Sequence, residues 1–221
     1  MMINHPTDPA LDPVPHPPAL RLGDPAPDFQ ARTTQGMIRL SDYRGRWLVF
    51  FSHPADFTPV CTSEFVAIAH AADRFAALDC ALLGLSVDSL HAHLAWVRAI
   101  AAHFAVTIPF AIVEDPSMAI GRAYGMIDAN AADSAAMRAS FFIDPEGIIR
   151  AVTLYPHTIG RSVDEMLRMV AALQRTARGD ALAPEGWRPG DALLRPPPQD
   201  QQTALAGADE PWFCQTMADP Q

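Results

Sequence analysis

The chain has 221 residues, 49% hydrophobic and 19% charged, which fits one globular domain with extensions. Its formal net charge is −9 and all 16 basic residues are arginine, so its acidic surface argues against general binding to nucleic-acid phosphates. Three cysteines without a CxxC pair exclude a disulfide scaffold, a zinc ribbon and a dithiol redox motif, and no apolar run approaches the roughly 20 residues that span a bilayer.

Residues 1–20 hold six prolines and little periodic apolar signal, and read as a loosely draped tail. They lack the basic and apolar regions of a secretory signal, so a cytoplasmic location is expected. A domain over 21–178 follows. Phe29–Leu40 alternates weakly around Gln35-Gly36, as a short hairpin does. Trp47–Ser52 and Cys80–Val87 are continuous apolar runs suited to strands buried on both faces, and Ala111–Val113 is a short third. Between them lie two helical patterns. One runs from Pro59 to about Leu78, with Phe65, Ile68, Ala72 and Phe75 on one face, and the other from Leu90 to Phe104.

Asp115-Pro116 reads as an N-cap and N1 pair opening a short helix. Ser140–Asp144 and Ile148–Tyr155 flank the turn DPEG and form a second hairpin. Ser162 to Glu165 is a capping box ahead of a last amphipathic helix. Strands and helices alternate early and a hairpin and helix follow, so an α/β fold with a mixed central sheet flanked by helices is expected. Residues 179–221 form an arm. Its stretch WRPGDALLRPPP reads as irregular, and PWFC is an isolated apolar knot that needs somewhere to dock.

The chemistry concentrates in HPADFTPVCTSEF, residues 53–65. Thr58 is a good N-cap and Pro59 a good N1 residue, so Cys61 falls at N3. Backbone N–H groups in that turn lack intrahelical partners and the helix dipole is positive, a setting that favours thiolate over thiol. The gain is bounded. An ordinary thiol is about 3% ionised at neutral pH, so full ionisation adds about 30-fold, or roughly 2 kcal/mol of barrier. Other groups must bind the substrate and the charge on its leaving atom.

PADFTPVC, from Pro54 to Cys61, contains the PxxxTxxC motif and resembles the peroxiredoxins, in particular the one-cysteine, peroxiredoxin-6-type subgroup. LGDPAPDF, LSDYRG, GLSVDS, MRASFFIDPEGIIR, YPHTIGRSVDEMLR and PEGWRPGD resemble further segments of that subgroup, in the right order. The resemblance implies a thioredoxin-like fold with a C-terminal dimerisation arm. It implies reduction of hydrogen peroxide and organic hydroperoxides without metal, haem or flavin, with thioredoxin or another thiol as reductant. It also implies a homodimer, or a decamer built as a ring of dimers.

By the same resemblance Cys61 is the peroxidatic nucleophile, Thr58 hydrogen-bonds the peroxide, and Pro54 shields and shapes the pocket. Arg138 lies beside the sulfur, and Arg161 is a second pocket arginine. Glu64 either orients an arginine or is an exposed helix residue. His53 lies near the pocket, acting in the chemistry or only in the loop. PWFCQT resembles tails that carry a resolving cysteine, so Cys214 either attacks the Cys61 sulfenic acid, by crossing to a partner subunit, or is an idle thiol. Cys80 reads as a core residue. His91 and His93 point to different helix faces, which argues against a metal there. A rival reading makes Cys61 a stoichiometric redox sensor, or the assembly a holdase; catalytic turnover separates these from an enzyme. No GxSxG elbow supports lipid hydrolysis.

Overall fold

The structure, a computed structural model, describes residues 20–127, 134–206 and 211–219. The expected N-terminal tail therefore lies almost wholly outside the described residues. Strands β1 (Gln30–Thr33), β2 (Gly36–Arg39), β3 (Trp47–Ser52), β4 (Cys80–Ser86), β5 (Ala111–Glu114), β6 (Arg138–Ile143) and β7 (Ile149–Tyr155) form one sheet in the order β2-β1-β5-β4-β3-β6-β7. The central β5-β4-β3 pairs are parallel; the outer pairs are antiparallel. This is the expected mixed α/β sheet of a thioredoxin-like fold.

β3 explains the layering. Its six residues, WLVFFS, are all buried. Val49 and Phe51 face one apolar cluster with Phe65 of α1 (Pro59–His70), Trp96 of α3 (Leu90–Phe104) and Val170 of α5 (Val163–Thr176). Leu48 and Phe50 face a second cluster with Tyr124, Met126 and Phe141. Alternate side chains of a strand point to opposite faces, so a continuous apolar run is what a sheet covered on both sides requires.

Several sequence expectations change in detail. The helix expected over Pro59–Leu78 is two helices, α1 and α2 (Ala72–Ala77). They break at Ala71, whose N–H is shared between the Ala67 and Ile68 carbonyls. The break turns Ala71, rather than Ala72, into the core beside Phe75. Asp115-Pro116 opens a turn and not the helix itself: α4 spans Ala119–Ala123. Asp115 still caps it from a distance, because its Oδ2 accepts the Gly121 N–H at 2.7 Å. The capping box of α5 is half made. Ser162 accepts the Glu165 N–H, while the Glu165 carboxylate turns to Arg168.

The stretch WRPGDALLRPPP is not wholly irregular. Leu193–Leu194 (β8) pairs with Thr216–Met217 (β9), and a short helix α6 (Gln201–Ala206) lies between them in sequence. Trp187 and Leu193 bury against Ala171 and Ala172 of α5, which seats the arm on the domain. Among the described residues no helix is long and apolar enough to cross a membrane.

Trp187 is 3% exposed, and its indole N–H donates to the Asp191 carbonyl. Trp187→Ala is expected to cost about 3–5 kcal/mol at this junction. Limited proteolysis should then cut the arm well before the sheet domain, whereas uniform digestion would contradict separate seating of the arm.

Candidate active site

The loop 53–58 leaves the end of β3 and delivers Cys61 into the first turn of α1. Thr58 has the extended backbone of an N-cap (φ −95°, ψ 149°), and Pro59 follows at N1. The Thr58 hydroxyl does not cap the helix; it donates to the Ala55 carbonyl at 2.8 Å. Phe57 sits at φ 57° with its ring exposed. A bulky residue in that left-handed region is strained, so the surrounding contacts must hold the turn. One of them is the Asp56 N–H, which donates to Asp88 Oδ2 at 2.8 Å.

Cys61 is fully buried, and Arg138 Nη1 lies 3.3 Å from its Sγ. The same Nη1 donates to Glu64 Oε2 at 2.6 Å, while Nε and Nη2 donate to the His157 carbonyl at 3.1 and 2.9 Å. Glu64 is one helical turn beyond Cys61, and it is buried, not exposed. It also takes Arg161: the backbone N–H at 2.7 Å and Nε at 2.9 Å reach Oε1, and Nη2 at 3.0 Å reaches Oε2. Arg161 Nη1 is held by the Ala139 carbonyl and Ser140 Oγ, and its guanidinium lies over the Phe51 ring. One carboxylate thus receives four donors from two arginines, and only Arg138 continues to the sulfur.

Burial pushes the Glu64 carboxyl upward, but hydrogen bonds and charge from Arg161, with the charge of Arg138, outweigh it and hold its pKa below the ordinary value of 4.5. His53 is buried and its pKa lies below 6.5, because desolvation outweighs the help of Asp56. The Asp56 pKa lies below 3.8: burial pushes it up, and hydrogen bonds from His53 and His93 bring it down further.

The structure brings together Cys61, Glu64, Arg138 and Arg161. It places Pro54, buried, and Thr58 on the loop leading to the sulfur. His53 lies within range of the Arg161 charge and bonds Asp56 of its own loop. Its Nε2 bonds Asp56 Oδ1 at 2.8 Å, and its buried Nδ1 has no hydrogen-bond partner among the described residues. Asp56 Oδ2 in turn meets His93 Nδ1 at 2.7 Å, and His93 Nε2 faces the Val113 carbonyl at 3.2 Å. Sequence reasoning missed Asp56 and the carbonyl of His157, and gave His93 no role. The i, i+3 spacing of His53 and Asp56 was the one local signal.

His53, Asp56 and His93 are the donor set a metal would need. Ligands of a tetrahedral zinc, each 2.0–2.1 Å from the ion, stand about 3.3 Å apart. Separations of 2.7–2.8 Å are those of shared protons, so the cluster is a hydrogen-bond network that ties α3 to the loop before α1. Cys80 is a core thiol, pushed up to about 12 by burial. Cys214 is exposed, and all three cysteines are free.

Acid should destabilise the protein in two stages. The depressed pKa of His53 means that the unfolded chain takes a proton below about pH 6.5 that the folded chain refuses. The depressed values of Glu64 and Asp56 contribute stability that is complete above their ordinary values of 4.5 and 3.8, and is lost as pH falls through their folded ones. Glu64→Gln should cost about 3–5 kcal/mol, because two buried guanidiniums lose their counter-charge, and should flatten the lower stage. Denaturant midpoints measured from pH 3 to 8, on the order of one pH unit apart, read both effects. An unchanged profile would contradict the assigned pairing.

The AhpC/TSA family model matches residues 22–152, and that of the C-terminal domain of 1-Cys peroxiredoxin matches residues 172–210. The chain is 46% identical to peroxiredoxin 2 of Caldanaerobacter subterraneus over 190 residues, covering 86% of each. It is 43% identical to peroxiredoxin 2 of Picrophilus torridus, covering 88% of this chain and 98% of that one. Among solved structures, a yeast mitochondrial 1-Cys peroxiredoxin, studied for thiol resolution through glutathione and thioredoxin systems, superposes with a TM-score of 0.77 at 38% identity, over 85% of this chain and 92% of that one. Peroxiredoxin 6 of Arenicola marina gives 0.78 at 31% identity, over 85% and 89%.

Proposed function

This chain belongs to the AhpC/TSA peroxiredoxin family and is a thiol-dependent peroxidase, and on that premise we propose that Cys61 is its peroxidatic cysteine. The observation that carries the assignment is the contact of Arg138 Nη1 with the Cys61 sulfur inside a buried arginine–carboxylate network. The guanidinium donates to the sulfur that acts as nucleophile. The thiolate attacks one peroxide oxygen, the O–O bond breaks, and the departing oxygen takes a proton and leaves as water or alcohol. The sulfur is left as a sulfenic acid.

Roles follow from the contacts. Arg138 donates to the sulfur and to the oxygens as charge builds on them. Thr58 accepts from the peroxide O–H, since its own proton is already given to Ala55. Pro54 shapes and shields the turn. Glu64 and Arg161 position Arg138. His53 acts through the loop, a role supported by its bond to Asp56.

Cys214 resolves the sulfenic acid as a disulfide, and the thiol reductant is thioredoxin or a similar small thiol. Support for Cys214 is its exposure at the end of the PWFC turn, and support for the reductant is the chemistry studied in the yeast neighbour. The enzyme works as a homodimer, with a decamer as a ring of dimers. A dimer is supported by β7, the edge strand of the sheet, which bonds the Gly23–Asp24 backbone at Ile149 and carries an exposed Leu154 further along. A cycle that ends on a thiol reductant fits a cytoplasmic location.

Steady-state hydroperoxide reduction with thioredoxin and with dithiothreitol tests these roles. Cys61→Ser should abolish turnover with both, and Arg138→Ala should lower the rate of Cys61 oxidation by about 100-fold or more. Cys214→Ser should lose thioredoxin-dependent turnover and keep the dithiothreitol reaction. On a non-reducing gel, one equivalent of peroxide should crosslink the wild type and leave Cys214→Ser uncrosslinked. Full activity in Cys61→Ser would sink the assignment.

A further inference from the structure

The partners of His93 fix how many protons its cluster must hold. His93 and His53 are fully buried, and Asp56 is buried between them. His93 Nδ1 lies 2.7 Å from Asp56 Oδ2, and its other ring nitrogen, Nε2, lies 3.2 Å from the Val113 carbonyl of β5. A carbonyl oxygen only accepts, so Nε2 needs a proton to make that bond. The contact with Asp56 needs a second proton, carried by Nδ1 or by the carboxyl. The 2.7 Å separation fits a charge-assisted bond from a cation to a carboxylate. Against the pull of burial, hydrogen bonds from both imidazoles hold the Asp56 carboxyl below its ordinary value of 3.8, which leaves the second proton on Nδ1. His53 differs. Its one bond, from Nε2 to Asp56 Oδ1, needs a single proton, and burial keeps that ring on the neutral side.

The charges around His93 support a cation on balance. His93 stands near the start of α3, where the helix dipole presents roughly half a positive charge and opposes one. Asp56 is in direct contact with a full negative charge. Glu114 of β5 adds its own field, while its Oε2 accepts the Leu90 N–H at the head of α3. Asp88, after β4, stands behind Asp56 and accepts its N–H. The nearby guanidiniums are already paired, Arg32 with Glu114 and Arg161 with Glu64. The His53 ring, 6.1 Å away between centroids, adds no charge while it is neutral.

We propose that His93 is a positioning residue for the turn that presents Cys61, and that it works as an imidazolium, with one proton bridging to Asp56 and the other to β5. The inference rests on the reading of Cys61 as the peroxidatic cysteine. Asp56 directly precedes Phe57, the residue at φ 57°, and Thr58 follows. The hold of His93 on the Asp56 carboxylate therefore sets the turn that offers the Thr58 hydroxyl to the peroxide. When His93 releases one proton to solvent, a ring lone pair must face either the Val113 carbonyl or the carboxylate, acceptor against acceptor, in a place closed to water. The turn loosens, and a misplacement of about 1 Å costs on the order of 100-fold in rate. Peroxide reactivity should then fall on the alkaline side, opposite in direction to the gain a thiol makes by ionising.

The test uses the full chain with isotopically labelled histidine nitrogens, and the variants Asp56→Asn and His93→Asn. At neutral pH the His93 ring signals, identified by their loss in His93→Asn, should show a proton on both nitrogens in the wild type. Asp56→Asn can turn an amide N–H to His93 Nδ1 and its oxygen to His53, keeping each contact with one proton fewer. In that variant His93 should carry a proton on Nε2 alone. Stopped-flow oxidation of Cys61 by hydrogen peroxide is followed from roughly pH 6 to pH 10, each protein referred to its own maximum. The wild type should fall about tenfold or more at the alkaline end, and neither variant should show that fall. An unprotonated ring nitrogen on wild-type His93 at neutral pH would overturn the imidazolium. An equal fall in wild type and Asp56→Asn, or a fall that tracks unfolding by circular dichroism, would overturn the positioning role and leave Cys61 as the nucleophile. If wild-type Cys61 reacts with peroxide at no pH, the reading of Cys61 fails and the positioning role with it.

Discussion

A single buried carboxylate organises the reactive centre. Glu64 accepts from Arg161 at three positions and from Arg138 at one, with 2% of its side chain exposed. Two guanidiniums this close repel each other, and neither belongs in a dry interior alone. The shared carboxylate makes both tolerable and leaves Arg138 one donor to spend on the Cys61 sulfur. Carbonyls of Ala139 and His157 take other donors, so the charges are hydrogen-bonded as well as paired.

The turn that carries the cysteine is held from the other side by a hydrogen-bond network around Asp56. Asp56 receives both imidazoles and donates its own N–H to Asp88. These contacts join the turn after β4, α3 and the loop, and they hold the unfavourable backbone at Phe57 in place. Strain at such a point persists only when its surroundings over-determine it. The two networks differ in kind. One aims positive charge at the sulfur, and the other fixes the path of the chain that presents it.

The arm obeys a separate logic. Trp187 and Leu193 add apolar cover to α5, which lets a segment rich in proline and glycine stay seated without long strands or helices. Its chemistry-bearing end stays outside that cover. Cys61 and Cys214 are therefore opposite in exposure, one shielded and one open.

Legibility in the sequence followed the range of the forces involved. The buried runs WLVFFS and CALLGLS, the DPEG turn, the N-cap position (though not the side-chain cap) of Thr58 and the place of Cys61 in the first turn of α1 are local patterns, and each holds in the structure. Details that depend on neighbours were less visible. These include the break at Ala71, the distant capping by Asp115 and the short pairing of β8 with β9. The family motif pointed to Arg138 and Arg161, but left Glu64 open between surface and site and gave His93 no part. Glu64 meets Arg138 across 74 positions and Arg161 across 97, and His93 meets Asp56 across 37. Periodicity and capping act over a few residues, so pattern sufficed for most of the elements and for the place of Cys61 in the first turn of α1. Which charges face one another depended on strand order and register, because only the assembled sheet brings β6, the loop before α5 and the first turns of α1 to one point.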